Sequence, residues 1–118
     1  MDYSSPLFIT PLATGVVFAL VGLYQLIWPP TKINDFYGYR TQNSRSSQER
    51  WDFAQPYSAR LMIKLGLLLS CSSIMGLVWD PGTIYSTLIS VGLLLVAVWQ
   101  MHLRTESGIN EAFGPMDQ

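Results

Sequence analysis

The sequence predicts an all-α integral membrane protein with three transmembrane helices and a short interfacial helix on the cytoplasmic side. Three observations predict it. Only 13% of the 118 residues are charged, against about 25% in an average soluble domain. The deficit is concentrated in three blocks with no charged side chain: Phe8 to Trp28, Leu65 to Trp79 and Ile84 to Met101. Proline and glycine clusters separate the blocks, at Pro29-Pro30 and Asp80-Pro81-Gly82. A helix rises about 1.5 Å per residue, so about 20 residues match a hydrocarbon core of roughly 30 Å. Greasy helices of a soluble bundle would keep a polar face with charges at helical spacing, and none of the blocks does.

The first helix is placed at about 8–28. Pro29-Pro30 stops it, because proline donates no amide and the residue before it avoids helix. Met1 to Leu7 contains Asp2, no Lys or Arg, and no small-residue cleavage site follows. The first helix is therefore expected to remain in the mature protein. The second helix is placed at 61–79, with Lys64 extending its ammonium to the headgroups. Asp80-Pro81-Gly82 is a tight-turn sequence, so the third helix, at 84–103, forms an antiparallel hairpin with the second. Trp28, Trp79 and Trp99 lie near block ends, where indoles favour the membrane interface. Small residues recur four apart at Gly66 and Ser70, Ser72 and Gly76, and Ser86 and Ser90. Such pairs let helix backbones approach in a bilayer. Ser70, Ser72 and Ser73 are expected to bond to backbone or to neighbouring helices. The whole chain, 1–118, reads as one membrane domain.

Basic residues set an orientation. Five of the seven Lys and Arg lie in the 29–60 segment, with Lys64 and Arg104 adjoining the second and third helices. Lys and Arg are retained on the cytoplasmic side. The N-terminus and the Asp80 turn are therefore expected outside, and the 29–60 segment and C-terminus in the cytoplasm. Net charge is −1, with no basic tract, so nucleic acid is not among the expected partners. Cys71 stands alone in an apolar block and cannot form an internal disulfide.

The 29–60 segment carries the chemical detail. Ser46 and Glu49 form S-x-x-E, the capping-box pattern. A helix starting near Ser47 would carry Trp51, Ala54 and Tyr57 or Ser58 on neighbouring turns, with Arg50 and Asp52 pointing elsewhere. Pro56 is expected to kink it before the second membrane helix. Trp51 and Phe53 would rest in the headgroup layer, or Trp51 would pin the segment to the bundle. Upstream, Asn34 to Thr41 shows no period of 3.6 or 2. Gly38 permits a tight bend. Arg40 has a planar fork suited to a carboxylate or phosphate, with Glu49, Asp52 or lipid phosphate as its simplest partners and a structural clamp as its expected role.

Two further readings follow from scattered polar residues. Gln25, Ser70, Ser73 and Gln100 would be the candidates in a small oligomeric transporter or channel. His102 and Glu106 are i, i+4 at the end of the third helix, and with Glu49 and Asp52 they could hold a divalent metal or do acid–base work. One His and scattered carboxylates make no recognised catalytic motif, and a His at a helix C-terminus is favoured by the dipole alone. No catalytic, metal or cofactor residue is assigned, and the expectation is a protein that is not an enzyme.

Asn34, Tyr37-Gly38-Tyr39-Arg40-Thr41, Ser44, Ser47, Glu49-Arg50-Trp51, Ala54-Gln55 and Tyr57 together resemble the SdpI family of bacterial membrane proteins. The resemblance extends to Thr105-Glu106 and Phe113 after the last helix, and so covers nearly the whole chain. Gln55 departs from it, standing where many relatives are expected to carry Asn. The family's named member is an immunity protein against a secreted antibacterial toxin and holds a transcriptional repressor at the membrane. That member has additional helices upstream, and this chain is similar to its C-terminal three-helix module. The resemblance implies toxin immunity or membrane signalling, with the loop residues Asn34 to Gln55 as the functional segment; His102 and Glu106, from their spacing, are weaker candidates. The expected partners are membrane lipids, a protein toxin or cytoplasmic regulator, and a second copy of the chain.

Overall fold

The structure is a computed structural model that describes residues 4–115. Residues 1–3, which carry part of the N-terminal reading, lie outside them. The chain runs α1 (Pro6–Ile27), α2 (Gln48–Cys71), a 3-10 turn (Ser72–Ile74), α3 (Met75–Val78) and α4 (Thr83–Phe113). Three segments are long and apolar enough to cross a membrane: Pro6–Ile27, Gln48–Val78 and Thr83–Phe113. The chain is thus an all-α membrane protein, with no strand among the described residues.

Local chemistry fixes the helix ends. Ser5 caps α1, accepting from the Leu7 amide, and Pro6 occupies the first turn, where a missing N–H costs nothing. Trp28 closes α1 by donating its amide to the Tyr24 carbonyl, just before Pro29-Pro30. At the other end of the bundle, Asp80 Oδ1 accepts from the Gly82 amide at 3.0 Å. Gly82 takes φ +100° there, and α4 starts at the next residue.

The helix expected from Ser47 is present, but it does not end at Pro56. It runs on as a single α2 through Pro56 to Cys71. Proline removes one amide from the ladder and crowds the preceding turn. Side-chain donors reach the backbone beside it: Gln25 Nε2 donates to the Gln55 carbonyl at 2.9 Å, and Ser58 Oγ donates to it at 3.2 Å. The cap is also one residue later than expected. Ser47 Oγ accepts from the Arg50 amide at 3.1 Å, while Ser46 Oγ donates to the Asn43 carbonyl. With Ser47 as cap, the third helical position is Arg50, so Glu49 cannot close a capping box. It remains a first-turn acid that favours the helix dipole.

Within the membrane span, α1 and α2 meet through small residues. A Cβ built on Gly66 would stand 2.6 Å from both the Ala19 amide nitrogen and the Gly15 carbonyl. A Cβ on Gly15 would meet the Gly66 carbonyl at 2.5 Å. The two backbones are therefore in direct contact, as the Gly66–Ser70 spacing predicts. Ser70 Oγ donates across the same seam to the Leu12 carbonyl at 3.2 Å. Ser72 Oγ donates to the Leu69 carbonyl, and Ser86 and Ser90 are buried on α4. The large aliphatic residues Val17, Leu20, Leu67, Leu68, Leu88 and Leu95 face outward, as lipid-facing side chains do.

The Gln48–Val78 span, made of α2, the 3-10 turn and α3, and the span of α4 are each 31 residues long, about 46 Å of helix. That exceeds a bilayer core by about 16 Å. The excess lies at one end, where the first turns of α2, the last turns of α4 and the 28–47 connection pack together. The well-packed apolar cluster of Tyr39, Ala54 and Ile109, with Phe53 and Met101 against it, belongs to this end. We call it the cap.

Candidate functional site

The cap is built around a loop that its neighbours hold by side-chain hydrogen bonds. Asn34 Oδ1 starts it, accepting from the amides of Phe36 and Tyr37, both at 2.8 Å. This is an Asx turn, the motif by which Asn substitutes for a backbone acceptor. Tyr37 then donates its hydroxyl to the Trp28 carbonyl at 2.6 Å, tying the loop to the end of α1. Gly38 follows at φ +100°, and a Cβ there would lie 2.5 Å from Gln55 Oε1. Both conformation and space require glycine.

Tyr39 is the centre. Its amide donates to Gln55 Oε1 at 2.7 Å, and its carbonyl accepts from Gln55 Nε2 at 2.8 Å. The Gln55 side chain thus pairs with a peptide group as a neighbouring strand would. Gln25 of α1 completes the set, donating to the Gln55 carbonyl, to Gln55 Oε1 at 3.3 Å and to Ser58 Oγ at 3.0 Å. All three side chains are buried. Losing one member would strand its partners, at about 1–3 kcal/mol for each unsatisfied group.

The Tyr39 ring carries the loop to α4. Its hydroxyl donates to Glu106 Oε2 at 2.6 Å and lies 3.3 Å from both His102 Nδ1 and the His102 carbonyl. Thr41 Oγ1 donates to the same Glu106 oxygen at 2.8 Å. Burial raises the Tyr39 pKa, and the hydrogen bond to Glu106 and its charge raise it further. Tyr39 is therefore held as a neutral donor. Burial also raises the Tyr37 pKa, helped by Tyr24. Ser44 closes the turn, with Oγ accepting from the Thr41 amide at 2.9 Å and within 3.0 Å of the Tyr39 carbonyl, while its own amide donates to Thr41 Oγ1.

A second seam runs beside the first. Arg50 Nη1 donates to Asn43 Oδ1 at 2.6 Å, and Nη2 donates to the carbonyls of Phe113 and Gly114 at 3.3 and 3.0 Å. These are the free carbonyls at the end of α4, so a guanidinium from another helix caps it where the dipole is negative. Its carbon stands 5.9 Å from the Phe113 ring centroid. Asn43 Nδ2 also donates to Asn110 Oδ1 at 3.0 Å. Trp51 is fully buried and donates its indole N–H to the Pro30 carbonyl at 2.7 Å.

The structure therefore gathers Asn34, Tyr37, Gly38, Tyr39, Thr41, Ser44, Ser47, Trp51, Gln55, His102 and Glu106 into one cap. Two readings change. Trp51 does not lie in the headgroup layer, because an indole with its N–H bonded inside the cap is better placed there than half in water. Arg40 meets neither Glu49 nor Asp52: its guanidinium donates to the Asp35 carbonyl. Asp52 Oδ1 accepts from Gln48, and among the described residues Glu49 makes no ion pair. No three His, Cys, Asp or Glu side chains among the described residues stand as a metal-holding group. Sequence reasoning passed over Asn43 and Asn110 and named Arg50 and Ser58 without their partners, which are distant in the chain. It took Gln25 for a transport candidate. The structure buries Gln25 in the cap, whereas Ser70 bonds near the far side of the membrane span, so the two do not converge.

Under the loop lies an open cavity of about 610 Å³. Gln25 and Ser58 line it together with Val21, Met62 and Met101, and Asp35 to Thr41 and Arg45 form its loop side. Arg45 Nη1 pairs with Asp35 Oδ1 at 3.0 Å. That volume is within the ordinary range for small-molecule sites.

Comparison with known proteins meets this description at the same segment. The model of the SdpI/YfhL protein family matches residues 31–101. An uncharacterized protein YfhL of Bacillus subtilis (strain 168) is 43% identical over 61 residues, covering 52% of this chain and 56% of that relative. The chain thus matches little more than half the length of this curated relative. No solved structure matches. The family match takes in the loop, the cap-forming turns of α2 and the membrane hairpin, and the chain belongs to the SdpI/YfhL protein family.

Proposed function

We propose that this chain is a binding protein of the bacterial cytoplasmic membrane, serving toxin immunity or membrane signalling through the cap, which faces the cytoplasm. The observation that carries this reading is the loop's construction. A connection between two helices needs neither the Gln25–Gln55–Tyr39 set nor the double anchor on Glu106. Rigid placement of a loop above an open cavity is what recognition needs, because preorganisation removes the ordering cost of binding. His102 and Glu106 are engaged in holding Tyr39 and Thr41, which supports a binding role over a catalytic one. The concentration of Lys and Arg at the cap supports its cytoplasmic placement.

The test is deletion of the gene in its native host, followed by challenge with supernatant from sibling cultures that make the toxin. Loss of survival, restored by the wild-type chain, is the expected result. Restoration should fail for Gly38→Val at equal membrane abundance, because the loop is displaced from Gln55. Unchanged survival of the deletion strain, together with an unchanged transcript profile, would remove both immunity and signalling.

A further inference from the structure

The cavity under the loop does not end at its polar floor. Val21 and Met62 line it and also line a second hollow of about 300 Å³ between α1 and α4, walled by Ala13, Val17, Phe18 and Leu94. The one polar side chain there, Thr14, donates its hydroxyl back to the Thr10 carbonyl at 2.8 Å and leaves the wall apolar. One cleft thus runs from a charged mouth in the cap to an apolar groove between membrane helices.

Its dimensions and charges specify an occupant. Ala13 to Val21 spans eight residue steps, about 12 Å of helix. Val21 lies six residues from the cap-side end of α1 at Ile27, about 9 Å, so the groove opens in the leaflet nearest the cap and reaches the middle of a roughly 30 Å hydrocarbon core. The mouth carries two guanidiniums, Arg40 and Arg45, and one carboxylate, Asp35. The carboxylate is engaged by Arg45. Arg40 is exposed and has one bond to a backbone carbonyl, which leaves most of its five N–H donors for a ligand. A guanidinium fork matches phosphate geometry.

We propose that the cleft binds a phospholipid with an anionic headgroup, drawn from the leaflet on the cap side, with its phosphate at Arg40 and one acyl chain in the groove between α1 and α4. This rests on the reading of the cavity as the binding site and names its ligand class. Any interhelical groove in a bilayer is covered by some acyl chain, so the specific content is selection of the headgroup. The lipid forms part of the surface that a toxin or regulator meets.

The test uses the full chain in a mild non-ionic detergent, with bound lipid counted by native mass spectrometry. Dioleoyl-phosphatidylglycerol and dioleoyl-phosphatidylcholine are titrated separately. Both lipids offer a phosphate, but the choline ammonium meets two guanidiniums at the mouth, so phosphatidylglycerol is expected to bind at one site about tenfold more tightly, the effect of roughly one charge-assisted contact. Arg40→Gln with Arg45→Gln should bring the two lipids within about twofold, since these contacts supply the preference. Val17→Trp fills the groove and should weaken both lipids. Should it fail to fold by circular dichroism, Leu94→Trp fills the groove from the opposite wall. Excess glycerol 3-phosphate should not displace the lipid, because the chain is required. Equal binding of the two lipids, a preference that survives the double arginine substitution, unchanged binding with a filled groove, or displacement by glycerol phosphate would each overturn the proposal. Survival under toxin challenge is a separate measurement, so failure of lipid selection and failure of the immunity reading are distinguishable.

Discussion

The two halves of this molecule are held together by different physics. In the membrane half, α1 and α2 touch backbone to backbone at Gly15 and Gly66, and bulky side chains face outward. Lipid offers no hydrophobic gain for bringing helices together, so close packing of small residues does the work. In the cap, water is the competing solvent, and a buried Trp51, Ala54 and Ile109 can gain from the hydrophobic effect. Polar groups buried with them must then be paired, and Gln25, Gln55, Tyr39, Ser44 and Glu106 meet that need in one connected set. The membrane half is permissive about side-chain identity but strict about size. The cap is strict about chemistry.

The strongest way to break this contrast is to add volume to the membrane seam. Gly66→Leu must push Ala19 and Gly15 away, and both contacts are backbone. Neither can yield without separating the helices. The expected cost is about 3 kcal/mol or more, at or above the usual overpacking range. Thermal unfolding in detergent should show a large fall in midpoint. Leu67→Ala, one residue away but facing lipid, should change it little. Equal sensitivity at 66 and 67 would refute a seam built on size.

The corresponding change in the cap removes chemistry at nearly constant volume. Gln55→Leu leaves the Tyr39 amide without its acceptor and Gln25 without one of its partners. Gln25 keeps the Gln55 carbonyl and Ser58, so the one stranded buried amide amounts to about 1–3 kcal/mol. Hydrogen exchange should rise for loop amides 37–44 and stay unchanged in α1 and in the membrane part of α2. Uniform loss of protection through all helices would mean that cap and membrane half are one cooperative unit.

This division also explains what could be read from the sequence. The membrane half is written locally: hydropathy gives the spans, and Gly66 with Ser70 gives the seam. Pro29-Pro30 and Asp80-Pro81-Gly82 give the breaks. The cap is written across the chain. Its extent was legible from charge and aromatic content, but its wiring was not. Gln25 looked like an intramembrane polar residue because its partners Gln55 and Ser58 are 30 and 33 positions away. Arg50 caps a helix that ends 63 residues later, which no local pattern records. The Ser46–Glu49 pattern misled for the same reason: it is a local signal, and a one-residue shift of the cap to Ser47 overrode it.

A smaller change tests the link between loop and α4. Tyr39→Phe removes the hydroxyl that Glu106 accepts from, at about 2 kcal/mol for a hydrogen bond to a charged group. Thr41 still donates to the same oxygen, so the loop should loosen without leaving. The same bond predicts a pH response. The folded-state pKa of Tyr39 is raised, by burial first and then by Glu106. Its contribution to stability is therefore complete below the ordinary tyrosine value of about 10 and is lost as pH rises above it. Wild type should lose stability above about pH 10 more steeply than Tyr39→Phe. Parallel curves would show that Tyr39 is not the buried donor that joins loop to helix.

The least effect is expected at the other connector, and it sharpens the comparison most directly. The Asp80 turn and the 28–47 loop both join membrane helices, yet the turn places no side chain in a buried network. Asp80 gives one exposed bond, to the Gly82 amide. The Gly82 conformation at φ +100° stands in open space. Asp80→Ala should cost no more than about 0.5 kcal/mol, the range for exposed positions away from special features. Lipid binding and survival should also be untouched, because the residue lies at the opposite end of the molecule from the cleft. If Asp80→Ala impaired either function as Gly38→Val does, position along the membrane normal would not separate binding from scaffolding in this fold. The cap would then be only one of two working surfaces.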